Sequence, residues 1–244
     1  MKRRYLAFDL ETAKVLPEAT SDLLSHRPLG ICCAAAVTED GAKPRAWYGR
    51  SKLGEPAGSM SHEEVKRMVH ELVNLVNEGF TLLTWNGLSF DFNVLAEESG
   101  LVEECAALAL GHVDIMFHAV CVLGHFVSLD KAAQGMGIEG KSTGIDGSKA
   151  PQLWAEGRHT EVLDYNTQDT KATLELARLC EDGGAMKWVT RRGTLARMPL
   201  SKGWLSVRDA RLLPEPDTSW MNQPPKREDF FRWFPTTGSS QAGP

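Results

Sequence analysis

The order of apolar segments along the chain is the feature that most restricts its fold. A short apolar run with an aromatic residue, Tyr5 to Leu10, predicts a buried strand. Two further strand-like runs, Gly30 to Val37 and Arg45 to Tyr48, are separated by the turn residues Glu39-Asp40-Gly41. Strands need partners for their backbone hydrogen bonds, so the N-terminal part of the chain is predicted to form a sheet.

A strong helix signal follows these strands. Ser61 to Glu64 is a capping box, and apolar residues then recur at helical spacing up to Val76. Further segments predict a strand over Phe80 to Trp85, helices over Asp91 to Glu98 and Glu103 to Leu110, a strand over Val113 to Met116, helices from Phe117 and Leu129, and a long helix over Thr160 to Glu181. Strands that alternate with helices in this way predict an α/β domain.

Composition excludes several classes of protein. The chain has 244 residues, 42% of them hydrophobic and 24% charged, which is typical of a globular protein. No segment approaches the roughly 18 to 20 apolar residues of a membrane helix, and no secretory h-region follows the basic N-terminus. Five cysteines without a CxxC pair suit a reducing compartment. We therefore predict a cytoplasmic protein without a membrane partner.

The composition changes near the C-terminus and suggests a division of the chain. Residues 1–184 are predicted to form the main domain, ending at Gly183-Gly184. Residues 185–235 are predicted to form a small, basic, tryptophan-containing, β-rich appendage. Residues 236–244 are predicted to be a disordered tail.

Two acidic residues lie at the end of the first strand. Alternate residues of a strand point to the same side, so Asp9 and Glu11 of the run Phe8-Asp9-Leu10-Glu11-Thr12 are neighbours. Adjacent carboxylates repel each other unless a proton or a cation compensates them. Divalent cations such as Mg²⁺ prefer oxygen ligands of this kind. Taken alone, such a pair is more often a polar strand end.

Two later motifs add acidic residues. Asp91 ends the run that begins at Trp85, between a strand and a helix, where an aspartate also serves as a helix cap. Tyr165 and Asp169 are four residues apart on the long helix and share one face. In isolation, this pair equally fits an ordinary helix surface.

Together the three motifs resemble those of the DEDDy branch of the DnaQ-like 3′–5′ exonucleases, which includes the proofreading domains of family-B DNA polymerases. The matching residues are Asp9, Glu11, Asn86, Phe90, Asp91, Tyr165 and Asp169. The resemblance covers about residues 4–182. It implies a ribonuclease H-like mixed sheet flanked by helices, although a generic α/β domain shares much of this element order. The sister branch has a histidine five residues before the last aspartate, where this chain has Asp164, so the tyrosine type is indicated.

The resemblance also implies a catalytic mechanism with two divalent cations, Mg²⁺ or Mn²⁺. Asp9 is expected to contact both ions, Glu11 and Asp169 to complete one site, and Asp91 to act on the other through water. Tyr165 is expected to orient the attacking water, since a phenol with an ordinary pKa of about 10 is a poor base at neutral pH.

Residues close to the motifs are expected to bind substrate. Leu10 and Phe90 flank the carboxylates and would pack against terminal bases, with ordinary core packing an equal alternative. Thr12 and Asn86 are assigned to substrate contacts. Lys141, in a predicted loop before the third motif, is a candidate for binding phosphate.

The predicted appendage carries a local excess of positive charge. Between Ala185 and Arg211 the only acid is Asp209, and the basic residues are Lys187, Arg191, Arg192, Arg197, Lys202, Arg208 and Arg211. With the interleaved Trp188 and Trp204 they suit a nucleic-acid strand, and Arg191 and Arg192 are assigned to substrate binding. The alternative is a solvated hairpin whose tryptophans pack on the main domain. The later aromatic residues are predicted to dock on the core or on a partner; they are Trp220, Phe230, Phe231, Trp233 and Phe234.

The sequence therefore predicts a metal-dependent 3′–5′ exonuclease that releases nucleoside 5′-monophosphates. The favoured substrate is single-stranded DNA, and RNA is possible. One alternative is a metal-dependent phosphodiesterase acting on unusual or short oligonucleotides. Another is a scaffold that binds nucleic acid without catalysis, against which the full carboxylate set argues. Protein partners are not indicated.

Overall fold

The central sheet is mixed and has five strands in the spatial order β3-β2-β1-β4-β5. The computed structural model describes residues 3–17, 20, 22–138 and 147–235. The strands are β1 (Tyr5–Thr12), β2 (Ile31–Thr38), β3 (Arg45–Tyr48), β4 (Thr81–Thr84) and β5 (Val113–Asp114). β1 pairs antiparallel with β2 and parallel with β4, β2 pairs antiparallel with β3, and β4 pairs parallel with β5. This sheet, flanked by helices, confirms the predicted fold class.

Eight α-helices lie in the described part of the chain. They are α1 (His62–Asn77), α2 (Asp91–Ser99), α3 (Val102–Gly111), α4 (Ile115–Leu123), α5 (Leu129–Met136), α6 (Ala150–Ala155), α7 (His159–Asp182) and α8 (Val207–Ala210). The predicted capping box of α1 is present, with reciprocal hydrogen bonds between Ser61 and Glu64. No helix is predicted for the residues of α6, because a six-residue helix is too short to show a helical periodicity of apolar residues.

The fifth strand is shorter than the predicted range Val113 to Met116. The side chain of Asp114 accepts a hydrogen bond from the backbone N–H of Phe117 at 2.9 Å and so begins α4. A cap at this position satisfies an N–H that has no partner within the helix. The chain therefore turns into a helix after only two strand residues.

The alternation of side chains along β1 divides the core into two layers. Leu6, Phe8 and Leu10 belong to the cluster that packs with α1 and α2. Tyr5 and Ala7 belong to the cluster on the other face, which includes apolar residues of α7. Because Asp9 and Glu11 follow the second pattern, they lie on the α7 side of the sheet.

The C-terminal residues pack against the same core. The hairpin of β6 (Ala185–Val189) and β7 (Leu195–Pro199) contributes Met186, Trp188 and Met198 to the cluster that contains Tyr5. Trp204 is fully buried in that cluster. The predicted tail, residues 236–244, lies outside the described residues.

All five cysteines are buried and free. In the part of the chain that the structure describes, no helix combines the length and the apolar character that crossing a membrane requires.

Candidate active site

The first motif is held between β1 and α7. Asp9 is fixed by Asn166 of α7, whose side-chain Nδ2 donates to Asp9 Oδ2 at 2.6 Å. Glu11 is buried, with 8% of its surface exposed. Both carboxylates therefore lie under the helix that carries the third motif, and the helix restricts their access to water.

The turn between β4 and α2 places the second motif. Asn86 has a left-handed backbone, with φ of 73°, a conformation that asparagine tolerates better than most residues. A Cβ atom at Gly87 would lie 2.4 Å from Thr84 Oγ1, so only glycine fits there. Asp114 accepts hydrogen bonds from the backbone N–H groups of Asn86 at 3.1 Å and Leu88 at 2.9 Å. Asp114 thus orders the turn.

Asp91 joins this turn to the first motif. Its Oδ1 atom accepts a hydrogen bond from the backbone N–H of Leu10 at 3.1 Å, and only 3% of the residue is exposed. The bond crosses from the start of α2 to β1. It therefore fixes the Asp91 carboxylate beside the strand that carries Asp9 and Glu11.

The third motif faces these carboxylates from α7. Tyr165 is 3% exposed and its hydroxyl hydrogen bonds with the Asp169 side chain. The segment before α6 closes over the pair, since a Cβ atom at Gly147 would lie 3.4 Å from the Tyr165 hydroxyl and 3.9 Å from Glu11 Oε2. The tyrosine and the carboxylates therefore occupy one enclosed space.

All five predicted catalytic residues line one cleft of about 680 Å³, here called the site cleft. Leu10, Thr12, Asn86 and Phe90, which the sequence assigns to substrate binding, line it as well. Lys141 lies outside the described residues. Arg191 and Arg192 line a different cleft. The structure thus brings together the three motifs and four of the predicted substrate residues.

Burial and mutual repulsion change the acidity of the site. Burial, and then the charge of Asp9, raises the pKa of Glu11 well above its usual range, with smaller contributions from Asp169 and Asp91. Burial raises the pKa of Asp91 to about 7. Burial also raises the pKa of Tyr165, as does the charge of Glu11. Without a cation, burial therefore favours the protonated forms of Glu11, Asp91 and Tyr165.

The four carboxylates of the site cleft are ligands of the kind that divalent cations such as Mg²⁺ prefer. Asp9, Glu11, Asp91 and Asp169 line one cleft, and the shift at Glu11 shows that their charges act on one another. Within residues 3–17, 20, 22–138 and 147–235, no three histidine, cysteine, aspartate or glutamate side chains converge closely enough to hold an ion as they stand. A cation held by one or two of these carboxylates would complete its coordination with water.

Three residues of the site were not assigned by the sequence. Asn166 is fully buried and holds Asp9, and its position beside Tyr165 is the signal that could have indicated it. Lys14 and Lys149 also line the cleft, and Lys14 Nζ donates to the His26 carbonyl at 2.6 Å. Lys14 follows the first motif closely in the chain, whereas Lys149 has no sequence signal because it reaches the cleft through the tertiary position of α6, which follows it directly.

The protein is of the α/β class. Its mixed sheet has a cleft lined by carboxylates at the end of the central strand, β1. The family model of the RNase_H superfamily matches residues 56–180, and the chain belongs to this superfamily. Its members are in general hydrolytic nucleases. The matched range contains Asp91, Tyr165 and Asp169, and the first motif precedes it.

A solved structure has the same fold. The family B DNA polymerase from the hyperthermophilic archaeon Pyrobaculum calidifontis aligns with 74% of this chain, with a TM-score of 0.52 and 19% sequence identity. The chain spans 25% of the length of that polymerase chain. No curated protein sequence matches the chain.

Proposed function

We propose that the protein is a metal-dependent 3′–5′ exonuclease of the DEDDy type that releases nucleoside 5′-monophosphates, with single-stranded DNA as its favoured substrate. The observation that carries this proposal is the meeting of four carboxylates and Tyr165 in one cleft. Membership of the RNase_H superfamily supports hydrolysis of a phosphodiester. The order of the three motifs supports the tyrosine branch.

Each residue of the cleft has a role in this proposal. Asp9, Glu11, Asp91 and Asp169 hold two cations, Mg²⁺ or Mn²⁺. These ions supply positive charge to the phosphate, the attacking water and the leaving 3′-oxygen. Asn166 keeps the Asp9 carboxylate in its orientation.

Tyr165 orients the attacking water. Its raised pKa keeps the hydroxyl protonated at neutral pH, so it acts through a hydrogen bond and does not remove a proton. The hydrogen bond to Asp169 fixes the direction of the hydroxyl. A water that hydrogen bonds with the Tyr165 hydroxyl would lie beside the carboxylates that line the same cleft.

The remaining cleft residues bind the 3′ end of the strand. Leu10 is 4% exposed and packs in the core, so the apolar surface offered to the terminal bases is that of Phe90, while Thr12 and Asn86 offer polar groups to the backbone. Lys14 and Lys149 provide positive charge for phosphates close to the carboxylates. The cleft therefore combines base stacking, phosphate binding and metal ligands.

An assay of linear and circular single strands tests the proposal. A 5′-labelled linear strand with Mg²⁺ or Mn²⁺ should give a ladder that shortens from the 3′ end, because the cleft holds a terminal nucleotide. A circular strand of the same sequence should stay intact, and excess EDTA should stop the reaction. Cleavage of the circle at the rate of the linear strand would contradict the exonuclease assignment.

A matched control separates this enzyme from the alternatives. Asp169→Asn keeps the shape of the side chain and removes its charge, so cleavage should be lost while the fold, measured by circular dichroism, is retained. A wild-type protein that binds strands but never cleaves them would support the scaffold. Cleavage confined to very short oligonucleotides would support the alternative phosphodiesterase.

A further inference from the structure

Two more clefts continue from the site cleft across the molecule. The first, of about 850 Å³, is here called the middle cleft, and it shares Trp85 and Asn86 with the site cleft. The second, of about 920 Å³, is here called the distal cleft, and it shares Phe126, Val127 and Ser128 with the middle cleft. The shared residues make the three clefts neighbours, with the middle cleft between the other two.

The distal cleft combines exposed aromatic rings with positive charge. Trp220 is 67% exposed and Phe126 is 57% exposed. Arg191, Arg192 and Lys131 line the same cleft, and none of the described residues that line it is an aspartate or a glutamate. In a chain with a net charge of −5, this is a local reversal of sign.

Of the two interpretations of Trp188 and Trp204, base stacking is wrong and the alternative, packing on the main domain, is confirmed. Trp204 is fully buried, and its Nε1 donates to the Ala177 carbonyl at 3.1 Å. Trp188 is only 8% exposed. Neither ring offers an open face, because both pack on the main domain. Stacking in this region therefore falls to Trp220 and Phe126.

The two arginines project from a well-defined turn. They lie between β6 and β7, where Thr190 N–H donates to the Thr194 carbonyl at 2.8 Å and Gly193 N–H donates to the Thr190 carbonyl at 2.9 Å. Arg191 and Arg192 are exposed. The turn therefore fixes the backbone that carries both arginines, and their exposed side chains line the distal cleft, where they are available to a ligand.

We propose that the distal cleft binds single-stranded nucleic acid several nucleotides away from a 3′ end in the site cleft. Trp220 and Phe126 stack with bases, and Arg191, Arg192 and Lys131 neutralise phosphates. The proposal rests on the proposed function only for the placement of the 3′ end in the site cleft. The path of the strand follows from the middle cleft, which lies between the site cleft and the distal cleft.

The middle cleft determines how the strand crosses. It is lined by three acids, Asp22, Asp130 and Asp229, and by apolar residues that include Met116 and Phe230. Carboxylates repel phosphates, so the strand turns its bases toward the apolar residues and its phosphates toward solvent. Removing one of these charges should therefore strengthen the binding of strands that are long enough to cross.

Binding measured without cleavage tests the proposal. Fluorescence anisotropy of 5′-labelled single strands of about 4 and about 20 nucleotides, in EDTA, spans the length that single-strand binding sites usually cover. The wild type should bind the longer strand more tightly. Trp220→Ala should lose about fivefold or more of that affinity, because a stacked base is lost. Asp130→Asn should increase it.

Salt dependence tests the arginines separately. Each phosphate contact contributes about 0.7 to the slope of log affinity against log salt for a single strand. The double variant R191A/R192A should therefore reduce the slope by about 1.4. Arg67→Ala removes an exposed arginine of α1 that lines none of the three clefts, and it should leave the slope unchanged.

Several results would overturn the proposal. Equal affinity of the wild type and Trp220→Ala for the longer strand would exclude stacking in the distal cleft. Equal binding of a duplex, or equally strong competition by polyglutamate, would exclude a single-strand site. These measurements need no catalysis, so a protein that fails to cleave but shows the expected losses would refute the proposed function alone. Normal cleavage without these losses would refute the distal site alone.

Discussion

At the scale of single residues, burial determines the chemistry of the site. Asp91 and Tyr165 are each only 3% exposed, and burial is the largest cause of the raised pKa of both. A buried carboxylate that is short of compensating charge favours a proton or a cation. A buried phenol keeps its proton. The same burial therefore prepares Asp91 for a metal ion and Tyr165 for hydrogen bonding.

Tyr165→Phe should reduce the single-turnover rate of strand cleavage by up to about 100- to 1000-fold, the loss that follows removal of one positioned hydrogen bond at an oxyanion site. The ring that packs beside Asp169 is kept. Because Tyr165 is not a proposed metal ligand, the Mg²⁺ concentration for half-maximal rate should stay unchanged. A wild-type rate in a 3′-labelled single-turnover assay would place the hydroxyl outside the reaction.

Asp91→Asn should change how stability depends on pH. The pKa of Asp91 is about 7 in the folded protein and about 3.8 in the unfolded chain, so the native state binds a proton more tightly. The proton bound by Asp91 therefore stabilises the folded protein fully below pH 4, and this stabilisation is lost as the pH rises through 7. Its size is on the order of a few kcal/mol. In EDTA, Asp91→Asn should stabilise the protein at pH 8 relative to the wild type, and less so at pH 4.

Urea unfolding of both proteins at the two pH values measures this difference. The isosteric amide keeps an oxygen to accept the hydrogen bond from Leu10 N–H. If the two proteins show the same pH dependence, burial does not raise the pKa of Asp91 in the way described.

At the scale of elements, one buried arginine stabilises the C-terminal segment, the part of the chain that follows β7. Arg227 is 9% exposed and donates to the backbone carbonyls of Cys121 at 2.7 Å, Pro214 at 2.8 Å and Arg211 at 3.2 Å. It also pairs with the exposed Glu215 at 3.2 Å. One side chain therefore joins the end of α4 to two separate parts of the C-terminal segment.

Arg227→Met should lower the free energy of unfolding by about 3 kcal/mol or more, because it leaves buried carbonyl groups without a donor. The matched control is Arg232→Met, which removes an exposed arginine paired with Asp229 and should change stability by less than about 1 kcal/mol. Urea denaturation of the two variants measures both values. Equal losses would show that the C-terminal segment is held by other contacts.

Local patterns explain how much of this structure the sequence could predict. The capping box at Ser61 and the alternation that places Asp9 beside Glu11 are both local patterns, and both are found. The short β5 and the burial of Trp204 depend on contacts between distant segments. Lys149 reaches the site cleft for the same reason. The roles of residues that depend on tertiary contacts therefore could not be predicted from composition and spacing.

At the scale of the whole molecule, the C-terminal residues complete the structure around the site. Trp233 Nε1 donates to the Leu88 carbonyl at 2.7 Å, within the turn that precedes Asp91. The rings of Phe230 and Phe117 pack with their centroids 5.1 Å apart. These contacts agree with the expected docking of the late aromatic residues on the core. Trp220 differs, since it remains exposed in the distal cleft.

The identity of the released nucleotide tests the central claim most directly. With a strand labelled in its last nucleotide and Mg²⁺ or Mn²⁺ present, the wild type should release a nucleoside 5′-monophosphate, detected by mass spectrometry or chromatography. Asp9→Asn should release none, since it loses a carboxylate that is expected to contact both ions. Release of a nucleoside 3′-monophosphate, or the same release in EDTA or by Asp9→Asn, would contradict the account.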